Sequence, residues 1–299
     1  YCLPFALLFF PCLSLAQSLP DTRPDNAIRI TQGVASEQNP CLSPDQRYLA
    51  FTRFMNGYNQ GPSALVLLDL ENGRERVLAN DNDHDHVNLP GQCFSPDGTR
   101  IAYSSDASGN DEIWVLELAS EERTQITRHQ NARAYEPAFG HNGQHLTFEL
   151  VENQGGSRVC SIALDSNKEQ CLTSGEFNDS QPNPSPVTDM VLFQSDRGGS
   201  WGLWTVPFSG GEPSPFFDSD AEETDASWSP DGESVVFATD ACIALSCAAV
   251  SSHGLIAVHE APDGWYEGAP AMAANGTIFV EACLGDPEDS GHSAIYRLP

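Results

Sequence analysis

Apolar and polar positions alternate along this chain in short bursts rather than with a helical period. The clearest burst is Ala226-Ser-Trp-Ser-Pro-Asp-Gly-Glu-Ser-Val-Val-Phe237. It predicts a strand, a tight Pro-Asp-Gly turn and a second strand. Variants recur, anchored on Ser43, Ser95, Gly140, Ser185, Ser229 and Ala273, at intervals of 52, 45, 45, 44 and 44 residues. After each turn an apolar run reaches an aromatic residue: Phe51, Tyr103, Phe148, Phe193, Phe237 and Phe279. A third run follows about ten residues later, as in Leu65–Leu70, Ile113–Leu118, Val159–Leu164 and Leu203–Phe208. A short fourth strand such as Arg123-Thr-Gln-Ile-Thr127 completes the unit.

Four short strands in a period of 40 to 50 residues match a propeller blade. The expected fold is therefore an all-β, six-bladed β-propeller of four-stranded blades over residues 27–299. The sixth repeat ends at its third strand, Ile295-Tyr-Arg-Leu-Pro299, and Ala27-Ile-Arg-Ile-Thr31 reads like a fourth strand. The N-terminal strand is thus expected to complete the last blade and remove an exposed sheet edge. Pro40, Pro137, Pro182 and Pro270 all lie three residues before an anchor. A proline is tolerated there if the first strand of each unit is an inner edge with no further strand to bond. Asp and Gly of the turns are read as structural, for a side-chain-to-backbone bond and a positive φ.

These residues resemble the TolB family of six-bladed propellers, whose units are also called WD-like PD repeats. The resemblance rests on the Ser-Pro-Asp-Gly turns, the aromatic strands after them, Gln194-Ser-Asp-Arg-Gly-Gly199 and the closing Ile-Thr pairs. It implies a module that binds or scaffolds a protein or peptide. TolB itself carries an α/β domain before its propeller, and here only residues 17–26, read as a linker, precede the first strand.

Composition narrows the classes. The chain has 42 Asp plus Glu against 14 Lys plus Arg, a net charge of −28. That charge opposes nucleic acid and anionic membrane surfaces. Residues 3–16 are almost wholly apolar, and Ser14-Leu-Ala16 is a small-x-small site. This predicts a cleaved signal peptide over residues 1–16, truncated at its start, no transmembrane segment, and a periplasmic or secreted monomer. Nine cysteines suit an oxidising compartment. Cys160 with Cys171 and Cys242 with Cys247 are candidate disulfides. Cys41 and Cys93 share one position in adjacent repeats.

Candidate chemistry is sparse, and no residue reads as catalytic. The residues four before the anchors are expected to ring the channel mouth as a binding site, through Asn39, Glu136, Gln181 and Asp225, with Tyr135, Trp265 and Tyr266 beside them on the face away from the Pro-Asp-Gly turns. Asp81-Asn-Asp-His-Asp-His86 offers Asp81, Asp83 and Asp85 to calcium, the one cofactor suggested, or His84 and His86 to a transition metal. Gly198-Gly-Ser-Trp-Gly202 fits G-x-S-x-G but lacks the strand–turn–helix context, so Ser200 is not read as a nucleophile. The alternative function is a metal-assisted propeller lyase or hydrolase acting on a carbohydrate.

Overall fold

The computed structural model describes residues 19–33, 35–80, 87–88, 93–153, 155–240, 246–251, 254–287 and 291–299. The apolar leader, the Asp81–His86 loop and Cys242 of the candidate Cys242–Cys247 pair lie outside the described residues. The strands are β1 (Ile28–Arg29), β2 (Ser36–Leu42), β3 (Tyr48–Phe54), β4 (Ser63–Asp69), β5 (Arg74–Asn80), β6 (Val87–Asn88), β7 (Arg100–Ser105), β8 (Glu112–Glu117) and β9 (Arg123–Gln125). They continue with β10 (Ala132–Phe139), β11 (His145–Glu152), β12 (Ser157–Ala163), β13 (Lys168–Cys171), β14 (Asp179–Pro184), β15 (Met190–Ser195), β16 (Gly202–Pro207) and β17 (Ser214–Phe217). The last are β18 (Glu223–Trp228), β19 (Ser234–Thr239), β20 (Ser246–Ser251), β21 (Gly254–His259), β22 (Trp265–Met272), β23 (Ile278–Leu284) and β24 (Ala294–Arg297). They form six four-stranded antiparallel sheets, five of them consecutive meanders and the sixth ordered β22, β23, β24, β1. The first strands β10, β14, β18, β22 and β2 pack in succession, and the second sheet joins its neighbours through β6 on β4 and β7 on β10, so the ring closes as a β-propeller.

The turn chemistry explains the repeat. Ser43, Ser95 and Ser229 each donate their hydroxyl to the turn Asp, at 2.6, 2.5 and 2.6 Å. The same hydroxyls accept from the N–H of Tyr48, Arg100 and Ser234. The Asp in turn accepts from Arg47, Thr99 or Glu233 N–H. The residue after the Asp is left-handed, at φ 60° for Gln46, 70° for Gly98 and 71° for Gly232. Glycine adopts this at no steric cost, which is why the motif prefers it.

Closure works by imitation. Thr127 and Thr173, just beyond β9 and β13, accept from Ile113 and Val159 N–H through their hydroxyls. Thr31 does the same for Ile295 N–H at 3.0 Å. Ile28 and Arg29 pair with Arg297 and Tyr296. Residues 19–26, read as part of the linker, pack on this sheet: Tyr296 donates to the Pro20 carbonyl, and Arg23 is only 2% exposed.

The core lies between sheets, not within one. Phe51, Phe148, Phe193 and Phe237 are fully buried, and Phe51 packs with Phe279 and Ile295 of the sixth sheet. The sixth turn is one residue shorter: Ala273 N–H bonds Thr277, whereas Ser43 N–H bonds Tyr48. Val280 therefore stands in register with Phe51, and Phe279 does not.

Cys160 and Cys171 face each other in the β12–β13 ladder and form a disulfide.

Candidate functional site

Five of the inner strands, β2, β10, β14, β18 and β22, each break their ladder at one place. The register slips between Gln38 and Cys41, Tyr135 and Ala138, Ser180 and Asn183, Thr224 and Ser227, and Gly268 and Ala271. The first residue of each bulge is left-handed: Asn39 at φ 55°, Glu136 at 54°, Gln181 at 49°, Asp225 at 54° and Ala269 at 44°. Four of the five bulges then place a proline, which has no N–H to leave unpaired. Left-handed backbone costs a non-glycine residue roughly 1–2 kcal/mol. Five such residues at one rank of the ring mark a place where the backbone is held for a reason.

The compensation is a belt of hydrogen bonds that passes from sheet to sheet. A side chain of the preceding sheet captures the N–H of the left-handed residue. Gln181 N–H donates to Glu136 Oε2 at 2.6 Å. Asp225 N–H donates to Gln194 Oε1 at 3.2 Å, and Ala269 N–H to Asp225 Oδ2 at 3.4 Å. Asn39 N–H donates to Glu281 Oε2 at 2.9 Å, carrying the belt across the closure. Gln181 Nε2 also donates to Asp225 Oδ1 at 2.7 Å, and Tyr58 hydroxyl to Glu281 Oε1 at 2.7 Å.

Asn39, Glu136, Gln181 and Asp225 line a cavity of about 350 Å³ on the axis of the ring. Its wall runs from the bulges to the Pro-Asp-Gly turns through Phe94, Phe139, Trp228, Met272 and several prolines. The sequence-predicted polar ring is thus brought together as the inner end of a cavity that extends toward the turns, not as a mouth on the opposite face. Tyr135, Trp265 and Tyr266 do not line this cavity. Side chains alternate along a strand, so a neighbour of a bulge residue points elsewhere. Tyr135 donates to Asp111, Trp265 is buried edge-on against Tyr296, and Tyr266 packs edge-on against Tyr58. Ser200 donates only to the Ser219 carbonyl, and a Cβ on Gly198 would lie 2.5 Å from the Asp218 carboxylate, so packing explains that glycine.

Electrostatics set the inner end apart. Burial raises Asp225 above the usual carboxylate range. Burial and the neighbouring Glu149 carboxylate hold Glu136 well above it, and burial lifts Glu149 as well. Burial pushes Glu281 up to about 7, although Tyr58 opposes the rise. Burial also raises Tyr58 and Tyr266, so both phenols stay protonated donors. Asn183, 3% exposed at the wall, donates to the Ala226 carbonyl while its Oδ1 has no partner among the described residues.

Glu149, Gln194, Glu281 and Tyr58 were missed in the sequence. Glu149 and Gln194 lie nine residues after their anchors, where the first repeat has Thr52 and the sixth, with its shorter turn, has Glu281 one residue earlier. The anchor spacing carried that signal. Tyr58 comes from the β3–β4 loop and had none.

A family model of the TolB β-propeller domain matches residues 18–150 and 94–284. The chain belongs to the TolB β-propeller family. Against the Tol-Pal system protein TolB of Francisella tularensis it is 27% identical over 169 residues, 56% of this chain and 37% of that protein. It therefore spans about two fifths of that relative's length. Among solved structures, a putative TolB from Agrobacterium tumefaciens matches with a TM-score of 0.63 at 18% identity, covering 90% of this chain and 93% of that one. An oligogalacturonate lyase from Vibrio parahaemolyticus matches at 0.62 and 13%, covering 91% and 92%. Likenesses at such identities speak to fold alone. Among the described residues, no helix is long and apolar enough to cross a membrane.

Proposed function

We propose that this TolB-family chain is an exported six-bladed propeller, each sheet one blade, that binds an extended segment of a partner protein in its axial cavity. One observation carries the reading: an apolar, proline-rich wall leads down to the half-buried carboxylates of Glu136 and Asp225, which have hydrogen-bond donors but no cation among the described residues. The prolines and bulges along the inner edges deprive a ligand of a strand to pair with. Recognition then falls to side chains: apolar ones against Phe94, Phe139 and Trp228, and a cationic one at Glu136 and Asp225. A cation there would draw both carboxylates back toward their charged forms. The family resemblance and the TolB relative support a protein-binding role. Export rests on the apolar leader and the cysteine use. Calcium at Asp81, Asp83 and Asp85, tested by metal analysis before and after chelation, remains part of the proposal.

The carbohydrate lyase or hydrolase reading ranks second. A floor of carboxylates repels an anionic sugar. Among the described residues Asp25, His259 and Glu267 come within ligating distance of one another, but Arg23 already bridges the two carboxylates.

The test is selection of linear peptides from a displayed library on the full chain, with Ser227→Trp as the counter-target. Ser227 is half-buried at the wall, and an indole there fills the cavity. The reading expects sequences that combine apolar residues with Lys or Arg and lose at least tenfold in affinity for the variant. Selected sequences that bind both proteins equally would overturn it.

A further inference from the structure

Cys41 and Cys93 are described as thiols outside any disulfide, and they touch. Each lies two residues before its anchor serine, so the two occupy one rank on the inner edges of the first and second sheets. Cys93 N–H donates to Cys41 Sγ at 3.0 Å across a sequence separation of 52. Both are enclosed, at 4% and 0% exposure, in one cluster with Phe94 and Tyr103. Cys41 also lines the axial cavity, so one sulfur of the pair can be approached from it. An isolated buried cysteine is explained as a small apolar side chain. Two at the same rank of adjacent sheets, with the sulfur of one on the backbone of the other, are placed for a bond.

We propose that Cys41 and Cys93 form an oxidisable dithiol that closes to a disulfide and staples the first two sheets together beside the cavity. The co-reactant is a small external disulfide. The Cys41 thiolate attacks one of its sulfurs, giving a mixed disulfide and releasing one small thiol. The Cys93 thiolate then attacks Cys41 Sγ, expels the second small thiol and leaves the Cys41–Cys93 bond. Two protein thiols are oxidised, one external disulfide is reduced to two thiols, and the two protons lost from the protein end on those thiols. Burial and the adjacent Cys41 thiol raise Cys93 well above the usual thiol range, so the second step is expected to be slow and to quicken with pH. The closed form ties residues 52 apart and resists unfolding more than the dithiol does.

The test uses the full folded chain, incubated with 2-hydroxyethyl disulfide, quenched in acid, alkylated after denaturation and digested with trypsin. Cleavage after Arg29, Arg47, Arg76 and Arg100 puts Cys41 on peptide 30–47 and Cys93 on peptide 77–100. The expected product is the two peptides joined, at their summed mass less two hydrogens, abolished by reduction and accompanied by a higher Tm. Chain carrying Cys93→Ser should instead stop at the hydroxyethyl mixed disulfide on Cys41. Recovery of both peptides singly alkylated from the wild-type chain, with the Cys160–Cys171 link intact in the same digest, would overturn the proposal.

Discussion

Two ranks of positions lie two residues apart along the inner strands, and the acidic residues that occupy them, both ranks at once only on β18, behave differently. In the outer rank, Glu37 pairs with Arg53, Asp179 with Arg197, and Glu267 with Arg23. In the inner rank, Glu136 and Asp225, with Glu149 and Glu281 from the second strands, meet amides, hydroxyls and one another but, among the described residues, no cation. Glu223 is the exception in the outer rank, held by Ser219 alone, and burial raises it too. Separation along one strand changes the role. In the outer rank, Glu37, Asp179 and Glu267 each have an arginine inside the fold, although one oxygen of each carboxylate makes no hydrogen bond among the described residues. The inner rank is where the proposed ligand's cationic side chain would sit.

The largest expected effect comes from breaking the outer rank. Arg23→Met leaves buried Glu267 with His259 as its remaining cationic partner, and unfolding in denaturant should show a loss of about 3 kcal/mol. Asp225→Asn, by contrast, removes a charge that nothing inside the fold balances, and its stability should stay within about 1 kcal/mol of wild type at pH 8. Equal losses in the two variants would erase the distinction between the ranks.

Titration separates them next. Glu281 is raised in the folded state, so its contribution is most favourable below the ordinary carboxylate range and fades as pH climbs through about 7. Wild type should therefore weaken between pH 5 and pH 8 by up to about 3 kcal/mol relative to Glu281→Gln, measured by denaturation at each pH. His129, held by Glu112 and then Glu169, is raised to about 9 and stabilises the seam between the second and third sheets. That contribution is present below the ordinary histidine range and disappears as pH rises through about 9. Being partly solvated, it should be worth about 1 kcal/mol in a comparison with His129→Gln. The smallest effect belongs to the turns. Ser95 and Thr99 hold Asp97 at about 2. Asp97→Asn should cost about 1 kcal/mol at neutral pH, and the difference should vanish as pH falls through about 2.

Most of the architecture was legible because it repeats. The Ser-Asp turn, the buried aromatic after it and the threonine just beyond three of the fourth strands are local devices, and local devices leave residue patterns. Thr31 announced the closure because it does for Ile295 what Thr127 does for Ile113. Four inner-end residues were legible for the same reason: they sit at a fixed distance from the anchors. What was hidden depended on partners across sheets. The left-handed bulge at Asn39 or Gln181 has no glycine to advertise it, because the stabilising acceptor comes from another sheet. Arg23 looked like linker because its partner, Glu267, is 244 residues away. Tyr135, Trp265 and Tyr266 were misplaced because proximity in sequence to the bulge does not give the same strand face.

The measurement that tests the central claim most directly is calorimetric titration of a cavity-selected peptide onto wild type, Asp225→Asn and Glu75→Gln. Glu75 is a partner of Arg53 in the outer network and lies away from the cavity. The account predicts that Asp225→Asn weakens binding at least tenfold while its Tm stays close to wild type, and that Glu75→Gln leaves affinity unchanged. Unchanged affinity in Asp225→Asn would contradict it.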